Sequence, residues 1–163
     1  MLDVGGGDSR LVDYLLNQHV SCVSVLDISG AALARAQARL GPAHTQVTWI
    51  EADVTADWRV PSVDIWHDRA VFHVLTRADE RQRYCANLSA ALRLGGSVIM
   101  VTFGPDGPEM CSGLPTIRYS PQALAAELGA AYQLQETVRE EHATPFGTVQ
   151  EFWYSRLTRV SPA

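Results

Sequence analysis

No apolar stretch in the 163-residue sequence is long enough to cross a bilayer, and basic residues never run together. With a formal net charge of −5 and no basic stripe, the chain is poorly suited to a nucleic-acid polyanion as main partner. The N-terminus has no charged n-region leading into an apolar h-region, so no signal peptide is visible. These absences lead us to expect a cytoplasmic protein with neither a membrane nor a nucleic-acid partner. Cysteine is scarce as well. Cys22, Cys85 and Cys111 form no C-x-x-C pair, which excludes a disulfide framework and a zinc ribbon and leaves no expected metal site. Two of the three are expected in the core and Cys111 in a loop.

What is present is ordinary globular material, 47% hydrophobic and 19% charged, enough for a single domain over residues 1–163. Apolar runs alternate with amphipathic stretches. "MLDV" reads as a buried strand running into Gly5-Gly6-Gly7. Leu11, Leu15 and Leu16 put a helical stripe on Ser9 to Gln18. "SCVSVLDIS" is a second strand, and Ser29 caps the helix "GAALARAQARL", stopped by Gly41. "VTWIEAD" and "VDIWHD" are the third and fourth strands. Tyr84, Leu88 and Leu92 mark a helix over Thr76 to Leu94, which Gly95-Gly96 is expected to end. "SVIMVTF" is a fifth strand, followed by the Pro/Gly-rich loop "GPDGPEMCSGLP". Ser120-Pro121 opens a helix closed by Gly129. Two long strands, "AYQLQETVREEHA" and "TVQEFWYSRLTRV", are joined by a turn at "TPFG". Strand–helix alternation of this kind predicts an α/β fold, a mostly parallel sheet with helices on both faces.

In such folds ligands bind at the carboxyl ends of the strands. Those ends carry Gly5 to Gly7, Asp27, Glu51 to Asp53, His67-Asp68-Arg69 and the loop from Gly104. A dinucleotide fingerprint, G-x-G-x-x-G, is met at Gly5 and Gly7 and fails at Arg10. Asp27 suits the ribose of either kind of cofactor. Asp3 and Asp53 add acids that suit a sulfonium, an amino group and an adenine amine better than a pyrophosphate.

"LDVGGGDSR" resembles motif I of the class I S-adenosylmethionine-dependent methyltransferases, h-h-[DE]-h-G-x-G-x-[GS]. "VLDIS" resembles their ribose-binding acid and "EADV" their adenine motif. "LRLGGSVIMVTF" is similar to the stretch entering their fifth strand, with Leu94 where Pro is usual. The resemblance covers essentially the whole chain. It implies a Rossmann-like sheet of seven strands with an antiparallel C-terminal strand, and S-adenosylmethionine as cofactor, leaving as S-adenosylhomocysteine. It assigns Asp3, Gly5, Gly6 and Gly7 to the methionine part, Asp27 to the ribose and Asp53 to the adenine, with Ile28, Val54 and His67 as further cofactor-binding residues. For Asp53 the plain alternative is a cap on the short segment "TADW".

"IWHDRAVFHVL" looks like the W-D-R-G-A-L segment of thiopurine-type small-molecule methyltransferases, and "SGLPTIRYSPQAL" like their Pro-rich loop. Carried over, Asp68 and Arg69 face or place the substrate, with His67 as a third catalytic candidate. The plain alternative is that Asp68 and Arg69 pair with each other or cap the following helix. His73 is expected to be packed and His142 solvated, whereas Phe103 and Tyr119 are open between core and pocket. The acceptor implied is a small molecule. A lysine methyltransferase is second, since that group carries D-K-G-T-L where this chain has Asp68-Arg69-Ala70-Val71. A non-catalytic S-adenosylmethionine-binding subunit or truncated variant is third. It is raised because the first strand opens at residue 2, where relatives place covering helices ahead of it; a homodimer or partner is the expected cover.

Overall fold

The structure, a computed structural model, describes residues 1–143 and 149–161, so the expected turn at 144–147 lies outside the described residues. Strand β1 (Leu2–Val4) leads through the glycine loop to helix α1 (Leu11–Asn17), then β2 (Val23–Asp27), α2 (Gly30–Leu40) and β3 (Val47–Glu51). Strand β4 (Val63–Arg69) is followed by a 3-10 turn at Phe72–Val74, α3 (Ala78–Ala91) and β5 (Leu92–Phe103). A small hairpin, β6 (Met110–Cys111) and β7 (Leu114–Pro115), precedes α4 (Pro121–Leu128), and β8 (Tyr132–Ala143) and β9 (Val149–Arg159) complete the sheet.

The seven long strands form one sheet in the order β3-β2-β1-β4-β5-β9-β8. The pairs from β3 to β5 are parallel, and β9 runs antiparallel to both of its neighbours, β5 and β8. This is the expected seven-stranded, mostly parallel sheet. Strand order reverses between β1 and β4, which places a crevice above their carboxyl ends.

Alternation along each strand sorts the core into two layers. Val23 and Val25 of β2 pack with Val12 of α1 and Leu33 of α2. Leu2, Val4, Leu26, Trp66, Val98 and Met100 point the other way, onto Tyr84 and Leu88 of α3 and Leu124 and Leu128 of α4. Helices therefore cover both faces. Ser29 caps α2 through a 3.2 Å bond from the Ala32 N–H, and Ser120 caps α4 in the same way, with Pro121 behind it.

Three local expectations change. Helix α3 stops at Ala91, three residues before the expected end, because Leu92 turns extended and pairs with Val63 of β4. Gly95 and Gly96 then sit in an excursion of β5 before pairing resumes at Ser97 with Ile65. The open carbonyls of the helix end are met by Arg159 of β9, whose Nη1 donates to Ser89 O at 2.6 Å and to Leu92 O. The Pro/Gly-rich loop contains the β6–β7 hairpin, tightened by positive φ at Ser112 and Gly113 (50° and 84°). No cysteine is fully buried: Cys22 is exposed, and Cys85 and Cys111 are half-buried. Burial still lifts the Cys85 thiol to about 11. Trp66 is a core residue, while Trp153 is only half-buried.

Candidate functional site

Above the switch point lies a cavity of about 840 Å³, walled by the carboxyl ends of β1 to β4 and roofed in part by the β6–β7 hairpin. Gly5, Asp27, Ile28, Asp53 and Val54 line it, as expected of cofactor-binding residues. So does Arg69, with Ala70 and Val71 after it.

The glycine loop has a specific reason for its composition. Gly5 has φ +68°, and a Cβ there would meet Val71 Cγ2 at 2.1 Å. A Cβ on Gly7 would lie 2.6 Å from Asp27 Oδ2 and 2.8 Å from Ala32 Cβ. Both positions let backbone approach neighbours that no other residue would allow. The Asp27 carboxylate ties the first two loops together. Its Oδ2 accepts from the Gly7 N–H at 2.9 Å and its Oδ1 from the Ser29 N–H at 2.8 Å. Each oxygen keeps a further lone pair for a ligand hydroxyl.

Ion pairs brace the next segment. Arg39 of α2 donates to the Asp13 carboxylate at 2.9 Å, to Asp8 Oδ1 at 3.2 Å and to Ser9 O at 2.7 Å. Arg35, on the cavity wall, holds Asp8 Oδ2 at 3.0 Å. These arginines hold the Asp8 and Asp13 carboxyls below the usual aspartate range. No isolated motif in the sequence announces this brace, although two arginines one turn apart on the α2 face were visible.

Asp3 and His67 are brought together, but outside the cavity wall. Register pairs them across β1 and β4 on the face shared with α1 and α2. The His67 Nδ1–H donates to Asp3 Oδ1 at 2.7 Å. Asp3 Oδ2 is buried without a protein partner, directly beneath Gly6. The catalytic role expected of His67 is therefore not what its position provides; its observed task is to hold Asp3. Gly6 and Gly7 likewise form the buried support of the loop, not the exposed wall.

Asp68 is the clearer correction. It was expected to help place the substrate, yet its side chain is wholly buried, because the alternation of β4 turns it toward α3. Tyr84 Oη donates to Asp68 Oδ2 at 2.5 Å, and Trp66 Nε1 donates to that Tyr84 oxygen at 2.8 Å. The N–H groups of Val71 and Phe72 also donate to Asp68, at 2.9 and 3.1 Å. Asp68 thus caps the 3-10 turn, as the plain alternative had it, and positions the Arg69–Val71 segment. Burial raises its carboxyl to about 6, against the opposing pull of Tyr84 and the turn N–H groups.

The other histidines fall where expected. His73 is fully buried, its Nδ1 accepts from the Phe103 N–H at 3.0 Å, and burial lowers its pKa to about 4. His142 is exposed on β8. Phe103 and Tyr119 resolve to the core, buried and absent from the cavity wall. Asp53 lines the cavity and also caps its own segment, its Oδ1 accepting from the N–H and hydroxyl of Thr55, each at 2.8 Å. Cys111 was passed over as a lone loop cysteine, yet the hairpin carries it onto the cavity wall. Among the described residues no cluster has the ligands for a metal, and no helix is long and apolar enough to cross a membrane.

These residues fit S-adenosylmethionine by their chemistry. A carboxylate at the end of β2 can accept from a ribose diol, a carboxylate oxygen of Asp3 without a partner among the described residues lies buried under the glycine loop, and Asp53 adds an acceptor at the end of β3.

Comparison with known proteins gives the same answer. Residues 2–98 match the methyltransferase domain family. A malonyl-[acyl-carrier protein] O-methyltransferase from a Paenibacillus species is 31% identical over 113 residues, 65% of this chain, and the match spans 39% of that relative's length. A solved S-adenosylmethionine-dependent methyltransferase from Methanosarcina mazei superposes with a TM-score of 0.74 at 16% identity, over 98% of this chain and 91% of its own. The N-methyltransferase NodS from Bradyrhizobium japonicum, crystallised with S-adenosylhomocysteine, gives 0.76 at 16% identity, over 98% and 77%. At such identities the two structures speak for the fold, whereas the family match takes in more than half of the sequence. The chain therefore belongs to the methyltransferase domain family.

Proposed function

We propose that this protein transfers the methyl group to a small-molecule acceptor. The observation that carries this reading is the cavity itself. Its volume of about 840 Å³ lies in the range of roughly 300–1,000 Å³ typical of small-ligand sites. Val71, Val74, Leu75 and Leu114 give it an apolar stretch of wall suited to a small apolar group. The relatives lend support: one is named for O-methyl transfer to a carrier-bound malonyl group and another for N-methyl transfer.

In this reading Asp27 takes the ribose hydroxyls, Ile28 and Val54 flank the adenine, and Asp53 accepts from its amine. Gly5 admits the methionine end, with the Asp3 carboxylate supporting the loop from below. The cofactor supplies an activated methyl group on a cationic sulfur. The chain's own contribution is alignment and exclusion of water, since methyl transfer gains much of its rate from holding nucleophile and donor in line.

The test is a titration followed by a transfer assay. S-adenosylmethionine and S-adenosylhomocysteine should both bind in a calorimeter, and labelled methyl should pass to a member of a small-molecule panel. Label appearing only on added protein would make the lysine reading correct. Binding without any transfer would leave a non-catalytic binder.

A further inference from the structure

Two arginines line the cavity, and they differ in how they are held. Arg35 is tied to Asp8 at 3.0 Å. Arg69, exposed at the end of β4, has no carboxylate partner among the described residues. Its backbone is held in place: Ala70 follows at φ +67°, the Ala70 N–H donates to Val101 O at 2.9 Å, and Asp68 binds the next two N–H groups. A guanidinium without a carboxylate partner, carried on a fixed stretch of backbone beside the apolar wall of Val71, Val74 and Leu75, suits an anion with an apolar body. The acids of the wall, Asp27 and Asp53, stand at the ends of β2 and β3, two and three strands from β4 in the sheet.

Resting on the small-molecule reading above, we infer that the acceptor is an apolar carboxylic acid, gripped by Arg69 and methylated on its carboxylate oxygen. Guanidinium and carboxylate match as planar forks, and each carboxylate oxygen keeps a free lone pair after one N–H···O bond. A carboxylate is already ionised at neutral pH, so it needs no general base. Among the described residues no histidine or glutamate lines the cavity to act as one. One carboxylate oxygen forms the new O–CH₃ bond as the methyl's bond to sulfur breaks, and that electron pair leaves with the sulfur. No proton moves. The carboxylate and sulfonium charges cancel, giving a neutral methyl ester and S-adenosylhomocysteine. The ester has lost the charge that Arg69 held, which favours its release.

The experiment has a binding arm and a product arm. Protein saturated with S-adenosylhomocysteine is titrated with hexanoate, decanoate and 3-phenylpropionate and with their amides, for the wild type, Arg69→Ala and Arg69→Lys. At least one acid should bind roughly 10- to 100-fold more tightly than its amide, the scale of a charge-assisted hydrogen bond. Arg69→Ala should erase that preference and Arg69→Lys keep part of it. In turnover with labelled donor, the product should release its label as methanol in mild base. Equal binding of acid and amide, no binding of any acid, a preference that survives in Arg69→Ala, or a base-stable label would each overturn the inference. Base-stable label on a small amine or thiol would do so while leaving the small-molecule reading intact; label on protein alone would overturn both.

Discussion

At the scale of single residues, Asp27 and His73 show how one side chain ties architecture to measurable behaviour. Asp27 bridges two loops and faces the cavity, so Asp27→Ala removes a ligand acceptor and frees Gly7 and Ser29 together. S-adenosylmethionine affinity should fall by about 10- to 100-fold by calorimetry, corresponding to roughly 1.5–3 kcal/mol. His73 is held to about 4 in the fold against 6.5 in the free chain, so the unfolded state binds the extra proton between those values. Its contribution to stability is present above pH 6.5 and is lost as pH falls toward 4. Asp68 works the other way: at about 6 in the fold against 3.8, its contribution is present below pH 3.8 and is lost as pH rises through 6. The two slopes oppose each other between pH 4 and 6 in the wild type. His73→Asn keeps an oxygen for the Phe103 N–H and removes one slope. Its urea midpoint, relative to the wild type, should therefore improve on going from pH 7 to pH 4.5.

At the scale of elements, the segment after β4 is where helix, strand and site meet. Trp66, Tyr84 and Asp68 form a buried hydrogen-bond chain from β4 to α3 and back to the 3-10 turn. Tyr84→Phe removes the central hydroxyl and leaves the Trp66 N–H and one Asp68 lone pair unmet in the core. Stability should drop by about 1–3 kcal/mol in urea unfolding. The α1–α2 brace is a milder case, because Arg39 is partly solvated. Arg39→Ala should cost about 1 kcal/mol in urea unfolding at low salt, and the gap to the wild type should narrow as salt is raised. Helix caps at Ser29 and Ser120 and stops at Gly41 and Gly129 were legible in the sequence, because each depends on one residue and its immediate neighbours. The end of α3 was not. Its last carbonyls are met by Arg159, 70 residues away along the chain from Ser89, and only strand pairing makes that arginine a neighbour.

At the scale of the whole molecule, the cavity lies where four strand ends and a distant hairpin converge, so a ligand there should stabilise all of them at once. S-adenosylhomocysteine at about 100 times its dissociation constant should add roughly 2.7 kcal/mol and raise the melting temperature in step with the logarithm of its concentration. A melting temperature indifferent to the ligand would remove the cofactor from this cavity. All thirteen basic residues are arginine, so the chain has no lysine of its own to accept a methyl group. Label found on the protein in a transfer assay would then point to an added partner or to another residue type.

The sequence by itself determined the alternation of strands and helices, the glycine loop, the acids at the ends of β2 and β3, and so the family. Those features rest on local periodicity and on motifs read within a few residues. Only the tertiary structure decided which of three consecutive residues does what. His67, Asp68 and Arg69 are neighbours in the chain, yet strand pleating and the pairing of β4 send them to Asp3, to Tyr84 and to the open cavity in turn. A residue's facing depends on the register of its strand with strands far away in sequence, and that register is a property of the assembled sheet.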